Sequence, residues 1–176
     1  MLEISSASTS FAMVSTLPFN ASPSNPPGSP QPTPASGGAV VMDPATAFAA
    51  IALAAVSWDG VLTMAGSRAL RHSLDYRQPY LNYGQETMVA LMDALLAELR
   101  RVGPQHLMVE AAEQLNPRQR ATAYAVAAEI MRSDGPLQAD ERNMLTNLAT
   151  TLELDEADTA PVLTAMDLLH ANVIEG

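Results

Sequence analysis

Cysteine and lysine are both absent from the 176-residue chain. Without cysteine there are no disulfides, thiolate metal sites or cysteine nucleophiles. Without lysine there is no Walker A phosphate loop, no Schiff-base amine and no kinase-type ATP site. Histidine is scarce too: His72, His106 and His170 stand far apart, so a zinc site would need carboxylate ligands. No Ser-His-Asp order, His-Asp pair or glycine-rich phosphate loop can be built around them, and the expectation is a protein without catalytic chemistry. Positive charge is limited to nine arginines against 19 acids, a formal charge of −10. That balance argues against nucleic acid as a partner, because phosphate contacts need local positive charge.

Composition changes near residue 42. Residues 1–42 hold seven of the 13 prolines and nine serines, with Glu3 as their only charge. Such a stretch cannot bury enough apolar side chain to offset the entropy of ordering, which predicts a disordered Pro/Ser-rich tail. The first 20 residues lack Lys and Arg and a continuous apolar run, so they do not read as an export signal. The longest apolar stretch, Ala45 to Trp58, is too short to span a bilayer as a helix. A cytoplasmic protein is the expectation.

Residues 43–176 are rich in Ala, Leu and Met and poor in β-branched runs, which favours helix. Asp43-Pro44 reads as an N-cap followed by proline at the first helical position. The segment that follows is apolar on almost every side and predicts a buried central helix over 45–58. Further helices are predicted over 63–73, 85–101, 105–115, 117–132 and 138–151, with a seventh opening at Leu154-Asp155. Met88, Leu91, Met92, Leu95, Leu96 and Leu99 carry the amphipathic period of the third. Gly103-Pro104, Asn116-Pro117 and Gly135-Pro136 punctuate the chain. The whole predicts an all-α fold, a compact bundle of about seven helices. Met88, Met92, Met108, Met131, Met144 and Met166 have the spacing of core residues.

An offset of 75 residues aligns the chain with itself. Phe48 to Leu74 matches Ala123 to Ala149, so that Asp59, Gly60, Leu62 and Leu70 correspond to Asp134, Gly135, Leu137 and Leu145. Both copies read as an Ala-rich helix, an Asp-Gly step, one residue, a leucine and a second amphipathic helix, an internal duplication of helical hairpins. In the second turn Gly135 is expected at positive φ. Leu137 is expected to drop into the groove between the helices. Asp140 and Glu141 fall in the first turn of the next helix, where exposed amides favour anions. Asp134, Asp140 and Glu141 thus gather near one loop and can be read in two ways. They cap and brace the turn, or they bind a hard cation such as calcium or magnesium through grouped oxygens. The spacing is not that of an EF-hand, and the first copy has Ala65 and Gly66 where the second has Asp140 and Glu141.

The run from Ser133 through Asp134, Gly135, Pro136, Leu137 and Gln138 to Glu141, with its partial echo in Trp58-Asp59-Gly60-Val61-Leu62, resembles the signature of the tellurite-resistance TerB-like family. The resemblance covers roughly residues 43–171. It implies a small all-helical domain built from a duplicated helical unit, with a binding or adaptor role in stress-response or membrane-associated assemblies. The first copy departs from the pattern at Gly66, where the family has an acid, which weighs against a symmetric two-site metal model.

Charge is uneven along the chain. Residues 43–133 carry nine acids and eight arginines, whereas residues 134–176 carry nine acids and only Arg142. The acidic second half would attract cations or basic protein patches. Arg68, Arg71, Arg77, Arg100 and Arg101 either form a small basic patch or pair with nearby carboxylates. Trp58, the sole tryptophan, either seals the first hairpin or anchors a partner. Tyr76, Tyr80 and Tyr83 form an aromatic cluster that either packs over the hairpin edge or lines a partner-binding loop. The expected partner is a protein, with self-association left open. No cofactor is expected beyond calcium or magnesium if the acidic turn binds one.

Overall fold

In a computed structural model, residues 42–133 and 135–173 are described. Residues 1–41 of the expected 1–42 tail, Asp134 and residues 174–176 lie outside them. The described residues form seven α-helices and one short 3-10 turn, with no strand among them. The helices are α1 (Pro44–Val56), α2 (Met64–Asp75), α3 (Gln85–Val102), α4 (Pro104–Ala112), α5 (Pro117–Arg132), α6 (Ala139–Thr151) and α7 (Glu156–Leu169). The all-helical class and the helix positions agree with the sequence reading to within a few residues. Met42, assigned to the tail from composition, packs part-buried against the core.

Local chemistry sets the helix starts. Asp43 accepts the amide hydrogen of Thr46 at 2.7 Å, and Pro44 follows it at a position that needs no N–H donor. Asn116 and Gln119 exchange side-chain and backbone hydrogen bonds at 2.9 Å each, a reciprocal cap for α5. Asp155 does the same for α7 with Asp158. The 3-10 turn Tyr80–Asn82 occupies part of the stretch between α2 and α3.

The core is built around α1. Every residue from Ala47 to Ala55 is buried, because this helix has no polar face to present to water. Its alanines let neighbours approach closely, while Phe48, Ile51 and Leu53 fill the space between them. α4 and α5 pack against α1 most extensively, and α2 and α3 also touch it. α4 contributes Leu107, Met108 and Ala111; α5 contributes Tyr124, Val126, Ala127 and Ile130. α6 rests on α5 and α4, and α7 leans on α5. α7 has no fully buried side chain and attaches through Val162, Leu163 and Met166. Of the six methionines expected in the core, Met88, Met108, Met131 and Met144 are buried, and Met92 and Met166 are partly so.

Candidate interaction site

The first hairpin turn starts where α1 ends. Ser57 is buried and its hydroxyl donates to the Leu53 carbonyl at 2.6 Å. The Asp59 carboxylate accepts the Val61 amide hydrogen at 2.9 Å, a local turn that aspartate favours. Gly60 between them sits at φ +85°, in the left-handed region open to glycine. Thr63 then caps α2 by accepting the Gly66 amide hydrogen at 3.0 Å. The outcome for side chains is specific. Trp58 is half-buried against the core, Leu62 turns inward, and Val61 and Met64 stand out at 58% and 76% exposure.

The second turn repeats several of these features. Gly135 lies at φ +138°, and Leu137 packs part-buried against the core, both as the sequence predicts. α2 and α6 begin at positions 64 and 139, the 75-residue offset of the two sequence copies. Of the three acids assigned to this turn, Glu141 accepts the Gln138 amide hydrogen at 2.7 Å, which commits one of its oxygens to capping α6. Asp140 is exposed, and Asp134 lies outside the described residues. Among the described residues no group of three or more His, Asp or Glu is placed to hold a metal ion.

Two clefts meet at Trp58. The larger, about 480 Å³, runs between the start of α4 and α6 and is lined by Trp58, Met108, Met144 and Asp140 together with polar Gln105 and Asn147. Asn147 donates to Gln105 at 2.7 Å and ties the two helices there. The smaller, about 140 Å³, brings Trp58, Asp59 and Val61 beside Glu141. Its walls include Ala55, Val56 and Gly66 on one side and Ile130, Met131 and Glu141 on the other, three pairs of positions 75 apart. Trp58 and the acids Asp140 and Glu141, singled out separately in the sequence, therefore share one surface. Met108 and Met144 were legible only as core positions. Nothing in the helical period reveals that α4 and α6, whose residues 105 and 147 are 42 positions apart, open a cleft beside Trp58.

The tyrosines divide. Tyr80 is only 3% exposed, and its hydroxyl donates to the Ala45 carbonyl at 2.5 Å. Its ring lies 6.4 Å from Phe48 and meets Tyr83 edge-on at 5.6 Å. Tyr80 thus packs with the core and fastens the α2–α3 connection to α1, while also lining a cleft with Phe48 and Arg77. Tyr83 is half-buried beside it, and Tyr76 alone is well exposed. Arg77 stacks over the Tyr76 ring at 4.3 Å. Of the other arginines grouped in the sequence, Arg71 pairs with Asp75 at 2.5 Å, Arg101 pairs with Glu98, and Arg68 donates to the Met64 carbonyl. His72 packs against Tyr76, His106 lies 3.1 Å from Glu110, and His170 follows α7, so the three histidines do not converge.

No family model, curated protein or solved structure matches the chain. Among the described residues no helix is long and apolar enough to cross a membrane.

Proposed function

We propose that this chain is a non-catalytic interaction domain of the TerB-like kind, an adaptor that binds a protein partner through the face centred on Trp58. The observation that carries the reading is the position of Trp58, half-buried at the junction of two clefts, on the hairpin turn that also bears exposed Val61 and leads into exposed Met64 at the start of α2. A large aromatic ring with an apolar surround and a polar rim is the composition of an interface anchor. The TerB-like assignment draws support from the 75-residue spacing of the helix starts, the positive φ of Gly60 and Gly135, and the cleft lined by corresponding positions. A setting in a stress-response or membrane-associated assembly follows from that resemblance.

Divalent-cation binding through Asp134, Asp140 and Glu141 is the rival reading. It has to share Glu141 with the α6 cap. A calcium or magnesium titration that shifts the amides of residues 135–141 at millimolar ion would favour it over the adaptor reading.

The adaptor reading is tested by affinity capture from native cells with the full chain, Trp58→Ala, Met64→Asp and, as a control outside both clefts, Val89→Ala. A partner retained by the chain and Val89→Ala but lost from both Trp58→Ala and Met64→Asp supports it. Met64 is mostly exposed, so its variant reports binding even where loss of Trp58 perturbs folding. A partner set indifferent to both changes overturns the reading.

A further inference from the structure

We propose that the Trp58 face takes a basic amphipathic segment of its partner, apolar side chains flanked by Arg or Lys; this rests on the reading of that face as the docking site. The apolar half of the argument is geometric. The cleft of about 480 Å³ beside Trp58, Met108 and Met144 lies within the size range of side-chain and ligand pockets. Its two methionines can repack around aliphatic groups of different shape. Exposed Val61, which lines the smaller cleft, and exposed Met64 at the start of α2 add apolar surface on the same hairpin turn as Trp58.

The electrostatic half decides the partner's sign. Asp140 lines the larger cleft, and Asp59 and Glu141 line the smaller. None of these three carboxylates is in an ion pair among the described residues, whereas Asp75, Glu98, Glu153 and Asp167 each hold an arginine. Arg68 and Arg142, the nearest in sequence, donate to the backbone carbonyls of Met64 and Leu137. Carboxylates without an arginine partner beside an apolar cleft suit a cationic segment and repel an anionic one. A second copy of this chain fits poorly, since it brings a formal charge of −10 and no lysine. Nucleic acid and anionic lipid carry the wrong sign.

Trp58 is the only tryptophan, so its emission reads occupancy directly in the full chain. The probes are a synthetic helical peptide of leucine and arginine arranged amphipathically, its twin with glutamate for arginine, and vesicles of phosphatidylserine and phosphatidylcholine. The expected result is a saturable Trp58 response to the basic peptide that weakens with salt. The triple variant Asp59→Asn, Asp140→Asn, Glu141→Gln should bind roughly tenfold more weakly, the sum of a few exposed charge pairs. These amides keep the oxygen acceptors that hold both turns, so the variant should fold. Equal binding of the glutamate twin, undiminished binding by the triple variant, or a response to vesicles alone would overturn the inference. So would silence of Trp58 toward the basic peptide. In each case the adaptor reading stands if native capture still depends on Trp58 and Met64, and falls if capture ignores them.

Discussion

Gly66 lies so close to Val56 that a Cβ built on the glycine would run into the valine Cγ2. α2 therefore comes back against the end of α1 at a distance only a glycine permits. The same Cβ would stand 3.2 Å from the Thr63 hydroxyl oxygen that caps the helix. Seventy-five residues later the corresponding position is Glu141, whose carboxylate reaches back to the Gln138 amide. The missing acid of the first turn thus has a steric reason: no side chain fits there while Val56 stays in place.

Gly66→Ala should accordingly destabilise the fold by about 1–3 kcal/mol through overpacking, although alanine is the better helix former. Adding Val56→Ala opens the space, so the double variant should lose less than the sum of the two single changes. Urea denaturation of the four proteins measures the coupling. A Gly66→Ala variant as stable as the parent would show that the two helices do not approach so closely.

Most helix positions were legible because their starts are chemically marked. Asp43-Pro44, Asn116-Pro117 and Asp155 all cap the helices they were expected to open. The burial of α1 could be read from its lack of any polar side. What the sequence concealed is tertiary. Tyr80 looks like its neighbours Tyr76 and Tyr83 in a polar, proline-interrupted stretch, and only its reach to the Ala45 carbonyl, 35 residues away, makes it core. The clefts beside Trp58 arise where segments distant in sequence meet, and periodicity along one helix carries no information about such meetings. The acids were visible, but their shared surface with Trp58 was not.

Glu153 is the one non-glycine residue at positive φ among the described residues, at 55°. It ends α6 in a doubly bonded turn, with the Leu154 amide donating to the Ala149 carbonyl at 2.9 Å and its own amide to Thr150 at 3.1 Å. Its carboxylate pairs with Arg120, whose Nε also donates to the Ala112 and Leu115 carbonyls at 3.2 and 3.0 Å. Arg120 thus ties the end of α4 to α5 and to the α6–α7 turn. Arg120→Met should cost about 1–3 kcal/mol by leaving those carbonyls short of a donor. Glu153→Gly should be more stable than Glu153→Ala by about 1 kcal/mol, because both lose the ion pair but only glycine sheds the left-handed strain. Thermal melts of the three variants decide this. Equal stability of the Gly and Ala variants would deny the strained turn.

Burial pushes the Tyr80 phenol above the ordinary tyrosine value of 10.0, with Tyr83 and Asp43 adding to the effect. Burial raises Tyr124 as well. A group whose folded value is raised holds its proton more tightly in the folded chain. Its contribution is therefore complete below pH 10.0 and is lost as pH climbs past it. Stability should fall steeply on the alkaline side. Tyr80→Phe should flatten that limb without abolishing it, since Tyr124 remains. It should also cost about 1 kcal/mol at neutral pH through the lost bond to Ala45. Denaturant midpoints between about pH 8 and 11.5 test the slope, and an unchanged alkaline limb in Tyr80→Phe would refute the assignment.

On the acid side the relevant pair is Glu98 and Arg101. Glu98 is 5% exposed on α3, and Arg101, one turn on, grips both its oxygens, through Nε at 3.0 Å and through Nη2. This hydrogen bonding holds the Glu98 carboxyl below its ordinary value of 4.5 despite its burial, with the charge of Arg101 adding to the effect. A depressed carboxylate favours folding above its ordinary value, and that contribution disappears as pH falls through the lowered one. Glu98→Gln keeps the shape but not the charge. It should be less stable than the parent at neutral pH, and the gap should close as acid protonates the parent's Glu98. Arg101→Gln should behave alike at neutral pH, because either change breaks the same two-pronged contact. Thermal melts from about pH 7 down to 2.5 follow the gap. If it stayed constant into acid, the loss in Glu98→Gln would be one of packing, and the ion pair would contribute nothing.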